Sequence, residues 1–195
     1  MNVMFIHVPK SAGLSIEKSL GLIRARTTGR FNKLFTGKGK YSFGHIDVRK
    51  RLRSGAISQD FYRTAFKFCI CRNPYDRAVS HYFYARKKHP DKFSPSVSFI
   101  DFTRTLGDYG KMFQRQTYYT DGIDFDFIGR FECIGRTYQY VSEKIGVVAG
   151  LVLDNTTDHL PYWKYYCPET RENIVRFYRK DFEFFGYDED DHFLH

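Results

Sequence analysis

Lysine, serine and glycine crowd into one short loop near the start of the chain, within FIHVPKSAGLSIEKSL at 5–20. Lys10 brings a mobile point charge, and Ser11, Ala12 and Gly13 are small enough for backbone N–H groups to approach an anion. Ser11 and Ser15 add hydroxyl donors. The loop is not a Walker A motif, because Lys10 precedes Gly13 and no G-K-[ST] occurs; Gly39-Lys40 is followed by Tyr41. A second stretch, FCICRNPYDRAVSHYFYA at 68–85, sets Arg72 at a strand end and Ser80 eight residues later. That is a little over two helical turns, so the hydroxyl stays on nearly the same side of the helix as its opening turn. The planar fork of arginine suits a phosphate dianion, and a hydroxyl can complete the shell. Together the two loops describe a ligand with two separated anionic groups.

Both motifs need a strand to deliver them and a helix to receive them. Val3 to Val8 is a short β-branched and aromatic run stopped by Pro9, which reads as a buried strand, and Ser15 to Leu22 has helical spacing. Phe66 to Cys71 is a second apolar strand. Asn73-Pro74 follows it as N-cap and first helical residue, predicting a helix from Pro74 to Lys88. Helices are expected over Phe99–Leu106, Thr137–Ile145 and Pro168–Tyr178, with a third strand at Phe125–Gly129 and an acidic, aromatic tail. Strands alternating with helices predict an α/β fold: a P-loop-like single domain over 1–195, with a mostly parallel central sheet covered by helices on both faces. The ligand crevice of such sheets lies at the carboxyl ends of the strands, where both motifs fall.

The chain has 195 residues, a formal net charge of +9, 42% hydrophobic and 18% aromatic residues. That is enough apolar surface for a core without metal or disulfide staples, and the charge favours an anionic partner. Between 24 and 53 basic residues stand against a single acid, Asp47. The stretch reads either as a solvated loop with a short helix or as the wall of an anionic-substrate cleft. Cys69 and Cys71 lack the spacing of a metal site and would share one face of a strand, which reads as buried thiols. The opening apolar run is too short for a signal peptide or a membrane span, so a cytoplasmic location is expected.

F-I-H-V-P-K-S-A-G-L-S-I resembles the 5'-phosphosulfate loop of sulfotransferases that use 3'-phosphoadenosine-5'-phosphosulfate (PAPS), and R-N-P-Y-D-R-A-V-S-H-Y resembles their 3'-phosphate motif. The likeness is to the carbohydrate-type family that includes heparan sulfate 2-O-sulfotransferase and short bacterial members. Fainter echoes occur in FGH at 43–45, DFIGRFE at 126–132 and ETRENIVRFYRKDFEFFGY near the end. The resemblance implies that Lys10, Ser11, Ala12, Gly13, Leu14 and Ser15 hold the 5' end and that Arg72 and Ser80 hold the 3'-phosphate. Leu14 departs from relatives that often carry Thr or Ser there, which leaves backbone donors more of that contact. PAPS is then the co-substrate, 3'-phosphoadenosine-5'-phosphate (PAP) the product, and no metal is required.

Sulfuryl transfer needs in-line placement, a cation at the leaving oxygen and a base at the acceptor hydroxyl. Lys10 is assigned to the leaving group. His45 is the expected base, because its Gly-His step falls where the 2-O-sulfotransferase-like members keep theirs; His159 is the second candidate, and His159 and Lys164 are expected on the acceptor side. The acceptor is a hydroxyl, expected on a carbohydrate, and the basic stretch suits an anionic one. No nucleic-acid partner or membrane span is expected, and no oligomeric state follows. Two other readings remain: a nucleotide kinase using ATP, opposed by the missing G-K-[ST], and a basic nucleic-acid-binding module, which leaves both loops unexplained.

Overall fold

The computed structural model describes residues 1–24, 39–44, 48–94, 96–110, 113–153 and 159–190. Its elements are β1 (Val3–His7), α1 (Gly13–Ser19), β2 (Ile23–Arg24), β3 (Lys40–Gly44), α2 (Val48–Arg53), α3 (Gln59–Thr64), β4 (Phe66–Cys71), α4 (Pro74–Lys88), α5 (Phe99–Arg104), α6 (Thr117–Thr120), β5 (Phe127–Arg130), α7 (Ile134–Ile145) and α8 (Pro168–Phe185). The chain divides into two units, 1–71 with 118–155 and 72–117 with 156–195.

The first unit is built on the sheet. Strand order is β2-β3-β1-β4-β5, and every pairing is parallel, with β2 only two residues long at one edge. Parallel strands covered on both faces require side chains that are apolar in both directions, and β1 and β4 are buried along their whole length. One face of the sheet carries Val3, Phe5, Phe66, Phe68 and Ile70, packed with Ile16 of α1, its C-cap Leu20 and Tyr138, Val141 and Ile145 of α7. The other face carries Met4 and Ile6 in register with Tyr41 and Phe43. Phe61 of α3 closes on these, with ring centroids 5.6 Å from Tyr41 and 6.5 Å from Phe43. The expected α/β sheet with helices on both faces is therefore present.

α1 is fixed to the sheet by a buried acid. Glu17 accepts hydrogen bonds from Ser42 Oγ at 2.5 Å and from His7 Nδ1 at 2.7 Å, so α1, β1 and β3 meet at one carboxylate. Burying that charge is tolerable only because both donors satisfy it. The pinned His7 ring then crowds Gly13: a Cβ there would lie 2.2 Å from the ring. Glycine is required at 13 by this close approach of ring to loop.

The second unit is helical. α4, α5 and α8 share a core of Tyr75, Val79, Tyr82, Phe102, Ile174, Tyr178 and Phe182. The Asn73 side chain accepts the N–H of Tyr75 at 2.9 Å and Pro74 opens α4, which runs over the predicted residues. α8 outruns its predicted end at Tyr178 and stops at Gly186 in the left-handed region. The reason is a continued stripe: Tyr178, Asp181, Phe182 and Phe185 are all buried and follow helical spacing. β3 corrects the reading of the basic stretch as loop and short helix, because Ser42 and Phe43 are buried strand residues; the short helix is α2, which carries Arg49, Lys50, Arg51 and Arg53. Cys69 and Cys71 are buried free thiols, as expected, and burial pushes the Cys69 thiol well above its usual range.

Two stability outcomes follow from this packing. Gly13→Ala is expected to cost about 1–3 kcal/mol, because the His7 ring cannot yield without breaking its bond to Glu17. Gly135→Ala, where an added Cβ meets nothing within 4 Å, is expected to be neutral or to stabilise by about 0.5 kcal/mol. Denaturant midpoints of the two variants check the contrast. Phe182→Ala should cost about 3–5 kcal/mol in the same assay.

Candidate anion-binding site

β1 is the central strand, flanked by β3 and β4, and the loop that leaves its carboxyl end bears Lys10 to Gly13. Lys10 and Ala12 both adopt positive φ, 67° and 57°. A non-glycine residue in that region costs about 1 kcal/mol or more, so the surrounding structure must impose it. Left-handed residues within a turn are also what gathers N–H groups into an anion-binding concavity. Ala12 caps α1 with no side-chain hydrogen bond, so its capping groups are backbone only.

Ser11 sits at the centre of this turn. Its side chain is 1% exposed and its Oγ has no hydrogen-bond partner. A buried hydroxyl left unmatched costs roughly 1–3 kcal/mol, a cost that a hydrogen-bonding partner would remove. Ser15 is buried in α1, and Leu14 lies beside it, partly exposed in the first turn with no polar group to offer. Lys10, Ser11 and Ala12 thus lie in the loop and Gly13, Leu14 and Ser15 in the first turn of α1, which begins two residues before the start at Ser15 that the helical spacing predicts.

In the second unit Arg72 opens the turn into α4. It is buried, and its Nε donates to Asp76 Oδ2 at 2.7 Å. One turn of helix thereby orients the guanidinium, an i,i+4 pair that the sequence carries but that its reading missed. Ser80 is also buried, two turns into α4. The backbone of Arg72 is held by Gln116: the Arg72 N–H donates to Gln116 Oε1 and Gln116 Nε2 donates to the Arg72 carbonyl, both at 2.9 Å. Nothing in the local sequence signals Gln116, 44 residues away.

His45 lies outside the described residues, one position beyond the end of β3 at Gly44. His159 stacks on Phe83 of α4, with centroids 5.4 Å apart, and its Nδ1 hydrogen-bonds the Leu160 carbonyl at 2.8 Å. A carbonyl oxygen only accepts, so Nδ1 is the donor in that bond. Lys164 is exposed on the short 3-10 turn Tyr162–Tyr165. Of the aromatic residues around it, Tyr162, Tyr165 and Tyr166 pack against the helical core, and Trp163 is exposed. Among the described residues no group of three or more His, Cys, Asp or Glu could hold a metal ion, and no helix is long and apolar enough to cross a membrane.

The solved structure of a sulfotransferase from Alicyclobacillus acidocaldarius is similar to this chain at 16% identity, covering 96% of this chain and 97% of that one with a TM-score of 0.48. No curated protein matches. The profile described as Sulfotransferase family matches residues 1–188, from before β1 to beyond the end of α8. The chain belongs to the Sulfotransferase family.

Proposed function

We propose that this chain moves a sulfuryl group from PAPS to an acceptor hydroxyl, as one sulfotransferase domain. The observation that carries the reading is the buried, unmatched hydroxyl of Ser11 in a loop with two left-handed residues and a lysine. Its support is the family match, which spans both units, and the resemblance of the two motifs to 5'-phosphosulfate and 3'-phosphate sites. PAPS supplies the transferable sulfuryl group when bound, with PAP as the product.

The roles of the chain's own residues follow from charge and donor chemistry. Ser11, Ser15 and the backbone N–H groups of 11–15 bind the 5' end, with Lys10 holding the negative charge that grows on the leaving oxygen. Arg72 presents its fork to the 3'-phosphate, and Ser80 adds a hydroxyl. His45 takes the proton of the acceptor hydroxyl, a task suited to an imidazole whose ordinary pKa is about 6.5. No metal is needed for this charge work.

The acceptor is read as a carbohydrate. This rests on the resemblance to heparan sulfate 2-O-sulfotransferase, on the net charge of +9 and on the exposed Trp163 beside Lys164. Trp163 offers a face on which a sugar ring can stack, Lys164 a cation for an acidic group, and His159 an imidazole as a further polar group.

Arg72→Ala is expected to weaken PAP binding at least tenfold by calorimetry, in line with loss of a charge-assisted bidentate contact; unchanged affinity would remove Arg72 from the nucleotide site. His45→Ala should leave PAP binding nearly intact and lower turnover by about 10² or more. Near-normal turnover in that variant, with a loss in His159→Ala instead, would transfer the base to His159.

A further inference from the structure

Arg72 is held by its side chain and by its backbone, and the backbone hold has no counterpart in its sequence motif. Where β4 ends, the N–H and C=O of Arg72 leave the strand ladder, yet the residue is buried, so both groups must find partners within the protein. One side chain supplies both, since the Gln116 amide accepts from the N–H and donates to the C=O at 2.9 Å each. Gln116 is itself fully buried. Its backbone N–H donates to Asp181 Oδ2 at 2.7 Å, and the N–H and Oγ1 of Thr117 donate to Asp181 Oδ1 at 2.9 and 2.8 Å.

Asp181 is an expensive anchor. It lies on α8 with no exposure, and burial pushes its carboxyl above the usual carboxylate range, against the pull of Arg77 and three donated hydrogen bonds. Arg77 is equally buried, donates to the Gln114 carbonyl at 3.0 Å and lies 5.7 Å over the Tyr178 ring. A helix core could be filled more cheaply by apolar side chains. What this network delivers is a fixed peptide at Arg72, whose guanidinium is separately turned by Asp76.

We propose that Gln116, braced by Asp181, is a positioning residue for nucleotide recognition: it fixes the Arg72 backbone so that the guanidinium meets a 3'-phosphate at one angle. The inference rests on the reading of Arg72 as the 3'-phosphate cation. The Gln116 side chain binds the Arg72 peptide through both of its polar groups, so a positioning role predicts that its effect on binding depends on Arg72 and on the phosphate that residue faces.

The test is selective binding. Affinities for PAP and for adenosine 5'-monophosphate, which lacks the 3'-phosphate, are measured by calorimetry in the wild-type chain, in Gln116→Met and in Gln116→Met combined with Arg72→Ala. Gln116→Met is expected to weaken PAP binding roughly tenfold and to leave the monophosphate unchanged; combined with Arg72→Ala, it should add less than about twofold to the loss of that variant. Equal loss for both nucleotides, unchanged PAP affinity, or full additivity with Arg72→Ala would overturn the positioning role. Equal wild-type affinity for the two nucleotides would instead overturn the reading of Arg72 as the 3'-phosphate cation, and the inference with it. Where Gln116→Met fails to fold, Gln116→Asn keeps a buried amide that is one methylene too short to span both groups and carries the same expectations.

Discussion

Glu17 is buried beneath the loop that leaves β1, and its hydrogen bonds to His7 and Ser42 decide how that loop is shaped. A carboxylate out of water must be matched, and it is matched by Ser42 from β3 and His7 from β1. The pair draws α1 down onto the end of β1 and the middle of β3 and locks the His7 ring. That ring in turn sets the distance of closest approach for the loop, so that only glycine fits at 13. With Gly13 pressed against the ring, the short span from Pro9 to Ala12 has to turn sharply, and Lys10 and Ala12 take up left-handed conformations. The outcome is a buried serine hydroxyl with no partner, flanked by a lysine.

The same device appears in the helical unit. Asp181, another carboxylate out of water, is satisfied by three donors from Gln116 and Thr117, and through Gln116 its restraint reaches the peptide of Arg72. Asp76 restrains the side chain of that arginine. In each unit a buried acid fixes the backbone that presents a cation. The net charge of +9 supplies long-range attraction, whereas the buried acids supply direction.

Local signals in the sequence were strong where a single segment determines its own structure. β4 and α4 carry unmistakable marks, an apolar run followed by an Asn cap and a first-turn proline, and both were read to the residue. The turn from β1 into α1 is legible because small residues, a lysine and a following helix are contiguous. The residues that hold these motifs in place were not, because Glu17–Ser42, Arg72–Gln116 and Gln116–Asp181 join positions 25, 44 and 65 apart. No periodicity announces such pairs, and they exist only once the sheet and helices have assembled. β3 was obscured for a different reason: its two buried residues sit among cations and glycines that read as surface. The full length of α8 was legible in its buried stripe, but Glu and Asp residues between the aromatic ones gave it the look of a tail.

Family membership and the unmatched Ser11 hydroxyl converge on donor chemistry, and neither the kinase nor the nucleic-acid reading accounts for both. The most direct measurement is transfer of radiolabelled sulfate from PAPS to a panel of glycans, small alcohols and tyrosine peptides, run beside γ-labelled ATP. The account predicts label on a hydroxyl acceptor, strongest for a carbohydrate, that depends on PAPS and not on added metal. Transfer of phosphate from ATP with no sulfate transfer to any acceptor would contradict it.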